Sequence, residues 1–160
     1  THHQLKQVPV AWTRLGLLFF VFLAQENVMN TTTTEDLIHE AFHGSSEGRL
    51  HFGQVIGLMQ QAGVESYVAD YRTHQTTYYL PTGQVVAITL DMPDTPIANN
   101  FNADAVKAAI RGAQQGLVKY QEFKHLTCEA GCTGYTVWIA GRHVTYFGRK
   151  GEMHVDHFPN

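Results

Sequence analysis

From residue 34 onward the apolar positions form two helical stripes followed by alternating strands, and the same succession then repeats. Leu37, Ile38, Ala41 and Phe42 recur at the three-and-four spacing of one helix face, and Ala105, Val106, Ala109 and Ile110 do so later. Thr34 and Asn102 stand where N-caps belong, each with an Asp two places on (Asp36, Asp104) to suit the positive end of a helix. A second helix follows in each stretch. Phe52, Val55, Ile56 and Met59 mark the first of these, Tyr120 and Phe123 the other, and Gly63 and Gly131 sit where a left-handed glycine ends a helix. The period then drops to two. Tyr67, Ala69 and Tyr71 alternate with Val68, Asp70 and Arg72, as Tyr135, Val137 and Ile139 do with Thr136, Trp138 and Ala140. Residues 76–80 and 144–148 predict a second strand and 84–90 and 152–157 a third, joined by Thr82-Gly83 and Lys150-Gly151 turns. Residues 91–101, with two prolines and two asparagines, read as a loop.

The recurrence has one offset. Shifted by 68 positions, residues 34–89 fall on 102–157 without a gap. Asp36, Ala41, Gly44, Gly48 and Leu58 meet Asp104, Ala109, Gly112, Gly116 and Leu126. Ala62, Gly63, Tyr67, Thr77, Tyr78 and Gly83 meet Ala130, Gly131, Tyr135, Thr145, Tyr146 and Gly151. A tandem α-α-β-β-β duplication accounts for this. Helices segregated from runs of antiparallel strands place the fold in the α+β class. The expected form is a two-layer sandwich with a mainly antiparallel sheet, its halves related by a pseudo-twofold axis, making one domain over residues 29–160.

Residues 1–28 stand outside this scheme. Lys6 and Arg14 precede an unbroken apolar run at 15–24, too short to span a bilayer but of the length of a signal-peptide core. Phe22 fills the position two before Ala24, where cleavage wants a small side chain. Gln25-Glu26, ahead of Asn27-Val28-Met29, is encodable as a purine-rich ribosome-binding sequence just before an ATG. The expectation is that Met29 is the start and 1–28 a translated leader, which makes the protein cytoplasmic. A genuine signal segment, which would make it exported, and an anchor are the competing readings.

Composition narrows the function classes. The chain has 160 residues, 44% hydrophobic and 16% charged, which is globular and long enough for a core without staples. A net charge of −3 offers no basic surplus for nucleic acid or an anionic membrane. Two cysteines make no disulfide scaffold, while ten histidines against eleven Lys and Arg is the unusual count. No glycine-rich phosphate loop, nucleophile elbow or HExxH signature is present.

Positions alike in both units read as fold-determining, which assigns Tyr67, Tyr135, Tyr78 and Tyr146 to the core or sheet. Polar positions found in one unit only are the functional candidates. Glu152, His154 and Asp156 share one strand face where the first unit has Gln84, Val86 and Ile88. Such a row suits a divalent metal or acid–base work with His143 or Arg149 nearby, against the plainer reading of a solvated edge. Cys128-x-x-x-Cys132 with His125 and His143 has spacing too long for a zinc knuckle and lacks a completing pair. Cys132 aligns with Val64 and reads as a small buried hydrophobe. Asp70 and Arg72 pair on one strand face, or form the polar end of a small-ligand pocket walled by Trp138 and Tyr79.

Specific motifs run through the second unit. They are Ile110-Arg111, Gln114-x-Gly116, Tyr120-x-x-Phe123, Ala130-Gly131-Cys132-x-x-Tyr135, Tyr146-Phe147-Gly148-Arg149 and His157-Phe158-Pro159. In these the chain, over about 29–160, resembles the YdfO- and YbcV-like proteins. These are small uncharacterised bacterial proteins, many prophage-borne and some labelled phage envelope protein. The resemblance implies a small α+β domain and brings no activity or catalytic residues. The expected function is a non-catalytic module binding a small ligand or a protein. A metal- or histidine-dependent enzyme using Glu152, His154 and Asp156 is the alternative, and a structural phage-related role the third. No cofactor or nucleic-acid partner is expected, and no membrane if Met29 is the start. An exposed edge strand suits a homodimer.

Overall fold

The computed structural model describes residues 32–160, so the reading of residues 1–28 lies outside the described residues. Helix α1 (Thr34–Ser46) starts one residue earlier than its pattern suggested. Thr33 is the cap: its hydroxyl accepts from the Asp36 amide and the Asp36 carboxylate accepts from the Thr33 amide, both at 3.1 Å. A reciprocal box needs three-residue spacing, which Thr33 has and Thr34 lacks. Thr34 instead donates to the Ala62 carbonyl at 3.3 Å, tying α1 to the end of the next helix. That helix, α2 (Phe52–Ala62), is capped by His51 and closed by Gly63 at φ 77°. In the second half, α3 (Ala103–Gln114) is capped by Asn102, and α4 (Tyr120–Glu129) starts at Lys119 with no side-chain cap.

Strands β1 (Ser66–Asp70), β2 (Gln75–Tyr79) and β3 (Val85–Thr89) follow α2, and β4 (Cys132–Trp138), β5 (His143–Gly148) and β6 (Met153–His157) follow α4. They form one six-stranded antiparallel sheet in the order β3-β2-β1-β4-β5-β6. The class is α+β with an antiparallel sheet. At the central β1–β4 seam Val68 lies opposite Thr136, and these two residues stand at the offset read from the sequence. Tyr67 pairs with Tyr78 as Tyr135 does with Tyr146, and Thr76 pairs with Ile88 as Val144 does with Asp156. The left-handed positions recur likewise, His74 (φ 57°) with Arg142 (φ 56°) and Gly48 (φ 72°) with Gly116 (φ 73°).

Side chains alternate across each strand, so the registers sort the sheet into two faces. Tyr67, Ala69, Tyr78, Tyr135, Val137, Val144 and Tyr146 face the four helices and form the core with Ile38, Met59, Val106 and Phe123. The opposite face has no helix over it among the described residues. It carries Tyr79, Val85, Trp138, Met153 and Val155, all exposed. Among the described residues no helix is long and apolar enough to cross a membrane.

Two backbone details carry consequences. Gly134, at φ 155° beside a bulge in β4, would bring a Cβ to 2.2 Å from the Ala69 carbonyl oxygen across the seam. Gly57, inside α2, has nothing within 4 Å of a built Cβ. In thermal or urea unfolding, Gly134→Ala is expected to cost about 2 kcal/mol or more. Gly57→Ala should gain about 0.5–1 kcal/mol from helix propensity alone. The Thr76 hydroxyl is buried with no hydrogen-bond partner, and its counterpart in the second half is Val144. Thr76→Val should therefore stabilise by about 1 kcal/mol, since it removes an unpaid desolvation without changing shape. A loss of stability in that variant would show that the hydroxyl is satisfied in solution.

Candidate functional site

A cavity of about 330 Å³ lies on the helix side of the sheet, where the α1–α2 and α3–α4 turns approach each other over β1, β4, β5 and β6. Both halves supply its wall at corresponding positions: Gly48 with Gly116, Leu50 with Val118, Phe52 with Tyr120, and Val55 with Phe123. Its floor is the tyrosine pair Tyr67 and Tyr135, the residues whose identity in both units marked them as sheet-forming. The α1–α2 and α3–α4 turns are tight because Gly48 and Gly116 adopt the left-handed backbone. The second half adds Val144, Tyr146 and Asp156, which have no counterpart lining the cavity from the first.

Its polar groups are few. The Tyr120 and Tyr135 hydroxyls bond each other at 2.7 Å. Burial pushes the phenols of Tyr67, Tyr120, Tyr135 and Tyr146 upward, so all four are neutral donors and acceptors. The hydroxyls of Tyr67 and Tyr146 make no hydrogen bond among the described residues, nor does the Asp156 carboxylate. Burial also lifts the Asp156 carboxyl above its ordinary value, with His154 and His157 pulling it down by less. The cations at the rim are occupied: Arg49 bonds Glu47 at 2.6 Å and Glu40 at 3.1 Å, and Lys119 reaches the Gly48 carbonyl at 3.4 Å.

The row read from β6 is divided by the structure. His154 and Asp156 face the helices, opposite Tyr146 and Val144, and the His154 ring stacks on Tyr146 at 6.4 Å. Glu152 lies in the turn before β6, where its carboxylate accepts from the Lys150 amide at 2.7 Å. His143 pairs with His157 on the other face and stands beside Trp138, so the sheet separates it from Asp156. The Arg149 guanidinium holds the Ile97 carbonyl at 3.0 Å and so anchors the linker. Among the described residues no three His, Cys, Asp or Glu side chains converge as a metal site would require.

The second candidate group shares the uncovered face but not an enclosed pocket. Tyr79 and Trp138 both lie opposite Ser66, while Asp70 is at the other end of β1, about 13 Å away. The Asp70 carboxylate accepts from the Arg72 and Thr73 amides at 2.9 and 3.3 Å, a local turn cap. Asp70, Arg72 and Arg149 border a shallow, open depression on that face. Cys128 and Cys132 are free and buried, and burial raises the Cys132 thiol to about 12. His125 bonds Thr95 and Glu129 instead of joining them.

Asp156, a candidate from its strand face, stands in a cavity whose walls come from turns distant in sequence. One residue of consequence, Lys124, is absent from the candidates that spacing suggests, although it stands where the first unit has Ile56. It is fully buried, its ammonium bonded to the Asp91 carbonyl and 4.8 Å from the centre of the Tyr120 ring. Burial lowers its pKa, with Asp91 opposing.

The free protein should carry a stability cost at Asp156. A folded carboxyl raised above its unfolded value resists ionisation, so stability falls as pH rises from the ordinary carboxylate range through the folded value. Asp156→Asn is expected to raise the melting temperature at pH 7, and the gain should shrink as pH approaches 4. An equal or lower melting temperature at pH 7 would mean that the carboxylate is compensated.

No curated protein matches the chain. A family model covers residues 40–156, most of the chain and both halves of the fold, and by that match the chain belongs to the family described as protein of unknown function DUF1398.

Proposed function

We propose that this protein is a non-catalytic binding module that takes a small, largely apolar molecule into the cavity between the helix pairs and the sheet. The observation that carries this is the cavity itself, about 330 Å³ with mostly aliphatic and aromatic walls and a few polar groups. That volume lies at the lower end of small-ligand sites, and such walls with sparse polar groups are their usual make-up. Catalysis has less support, because the histidines and carboxylates considered for it are split between the two sheet faces.

The same reading includes how the site arose. A tandem duplication places equivalent turns on either side of a pseudo-twofold axis through the β1–β4 seam, and the cavity lies where the two turns meet. Divergence of one half then supplied the groups that break the symmetry. The likeness to the YdfO- and YbcV-like proteins adds a setting, that of a bacterial or prophage accessory protein.

The test uses the neutral dye N-phenyl-1-naphthylamine, whose fluorescence rises in apolar surroundings. The full chain should bind it saturably at one site. Ala113→Trp, which puts an indole into the cavity from the last turn of α3, should weaken binding by about tenfold or more with the fold intact by circular dichroism. Absence of saturable binding, or equal binding by the folded variant, would overturn the reading.

A further inference from the structure

We propose that the cavity is built for an organic cation, a small amphipathic molecule bearing a protonated amine, with Asp156 as its counter-ion and the aromatic lining against its apolar part. This rests on the ligand-binding reading of the same cavity. Four ionisable side chains of the lining bear on the charge it prefers, and three of them are engaged. Arg49 is held by two carboxylates, the His51 ring nitrogen caps α2, and Lys119 reaches a backbone carbonyl. Asp156 is the fourth, with neither an ion pair nor a hydrogen bond among the described residues. His154, two residues along the same face, stacks its ring on Tyr146.

The phenol nearest that carboxylate suits a cation. A protonated amine donates to a carboxylate and to phenol oxygens, and the hydroxyl of Tyr146, two residues from the position opposite Asp156 on the adjoining strand, has no protein partner among the described residues. Its positive charge is also drawn to aromatic rings, and Tyr67, Phe123 and Tyr135 line the same cavity. An anion would meet the Asp156 charge in a partly desolvated setting. A wholly apolar ligand would desolvate the carboxylate further and return nothing. Nor does the fold require a charge here: the corresponding residue is Ile88, packed against the core in the first half. A half-buried carboxylate that costs stability while unpaired fits a site whose counter-charge arrives with the ligand.

The experiment measures displacement of N-phenyl-1-naphthylamine from the full chain by 2-phenylethylammonium, its neutral analogue n-propylbenzene and the anion 3-phenylpropionate. The cation should bind most tightly of the three. In Asp156→Asn the affinity for the cation, taken relative to that for the dye, should fall by about tenfold or more. The dye reports whether the variant still has its cavity. If the dye binds but the anion or the neutral compound is preferred, or the relative affinity survives in Asp156→Asn, the cation assignment is overturned and the ligand-binding reading stands. If the dye does not bind the wild-type chain, both fall.

Discussion

The structure depends on the seam between β1 and β4. Each half is two helices and a three-stranded meander, a piece too small to bury enough surface for comfortable stability alone. Pairing Ser66–Asp70 with Gly134–Trp138 turns two meanders into one sheet and gives the four helices of the described residues a common floor. It also sets the distance between the two helix turns, and with it the cavity. Gly134 lets the backbones close at that seam. A side chain there would push against the Ala69 carbonyl and loosen everything built on the pairing.

The halves share their registers and left-handed positions but not all their chemistry. Where the first half places Ile56 and Ile88, the second has a buried lysine and a carboxylate in a cavity wall. These exchanges have different effects. Lys124 binds the Asp91 carbonyl and fixes the linker against α4. Asp156 engages nothing around it among the described residues, and its carboxylate is left facing the cavity.

Much of the architecture was legible because periodicity reports burial directly. The helix faces, the six strands, the turn glycines and the four core tyrosines all follow from spacing and from the offset of 68. The site was less legible for two physical reasons. Alternation shows which residues of a strand share a face but not which face the helices cover, so His143 was grouped with Asp156 although the sheet lies between them. A cavity is also made by the approach of turns far apart in sequence, and no local pattern encodes that approach. Asp70 shows a third effect. A carboxylate just before a turn is spent on backbone amides there, which a strand-face reading overlooks.

The position of the linker has a consequence for assembly. The strands that join the halves are adjacent in the sheet yet separated in the chain by β2, β3, residues 91–101, α3 and α4. The registers that let β1 recognise β4 within one chain apply equally between two chains, which is the condition for exchanging halves. A loosely held linker would act as a hinge for that exchange. Here it is fastened at several points: Lys124 to the Asp91 carbonyl, Arg149 to the Ile97 carbonyl, and the Ala98 and Asn102 amides to the carbonyls of Cys128 and Ala130. The buried lysine thereby favours closure within one molecule over swapping between two.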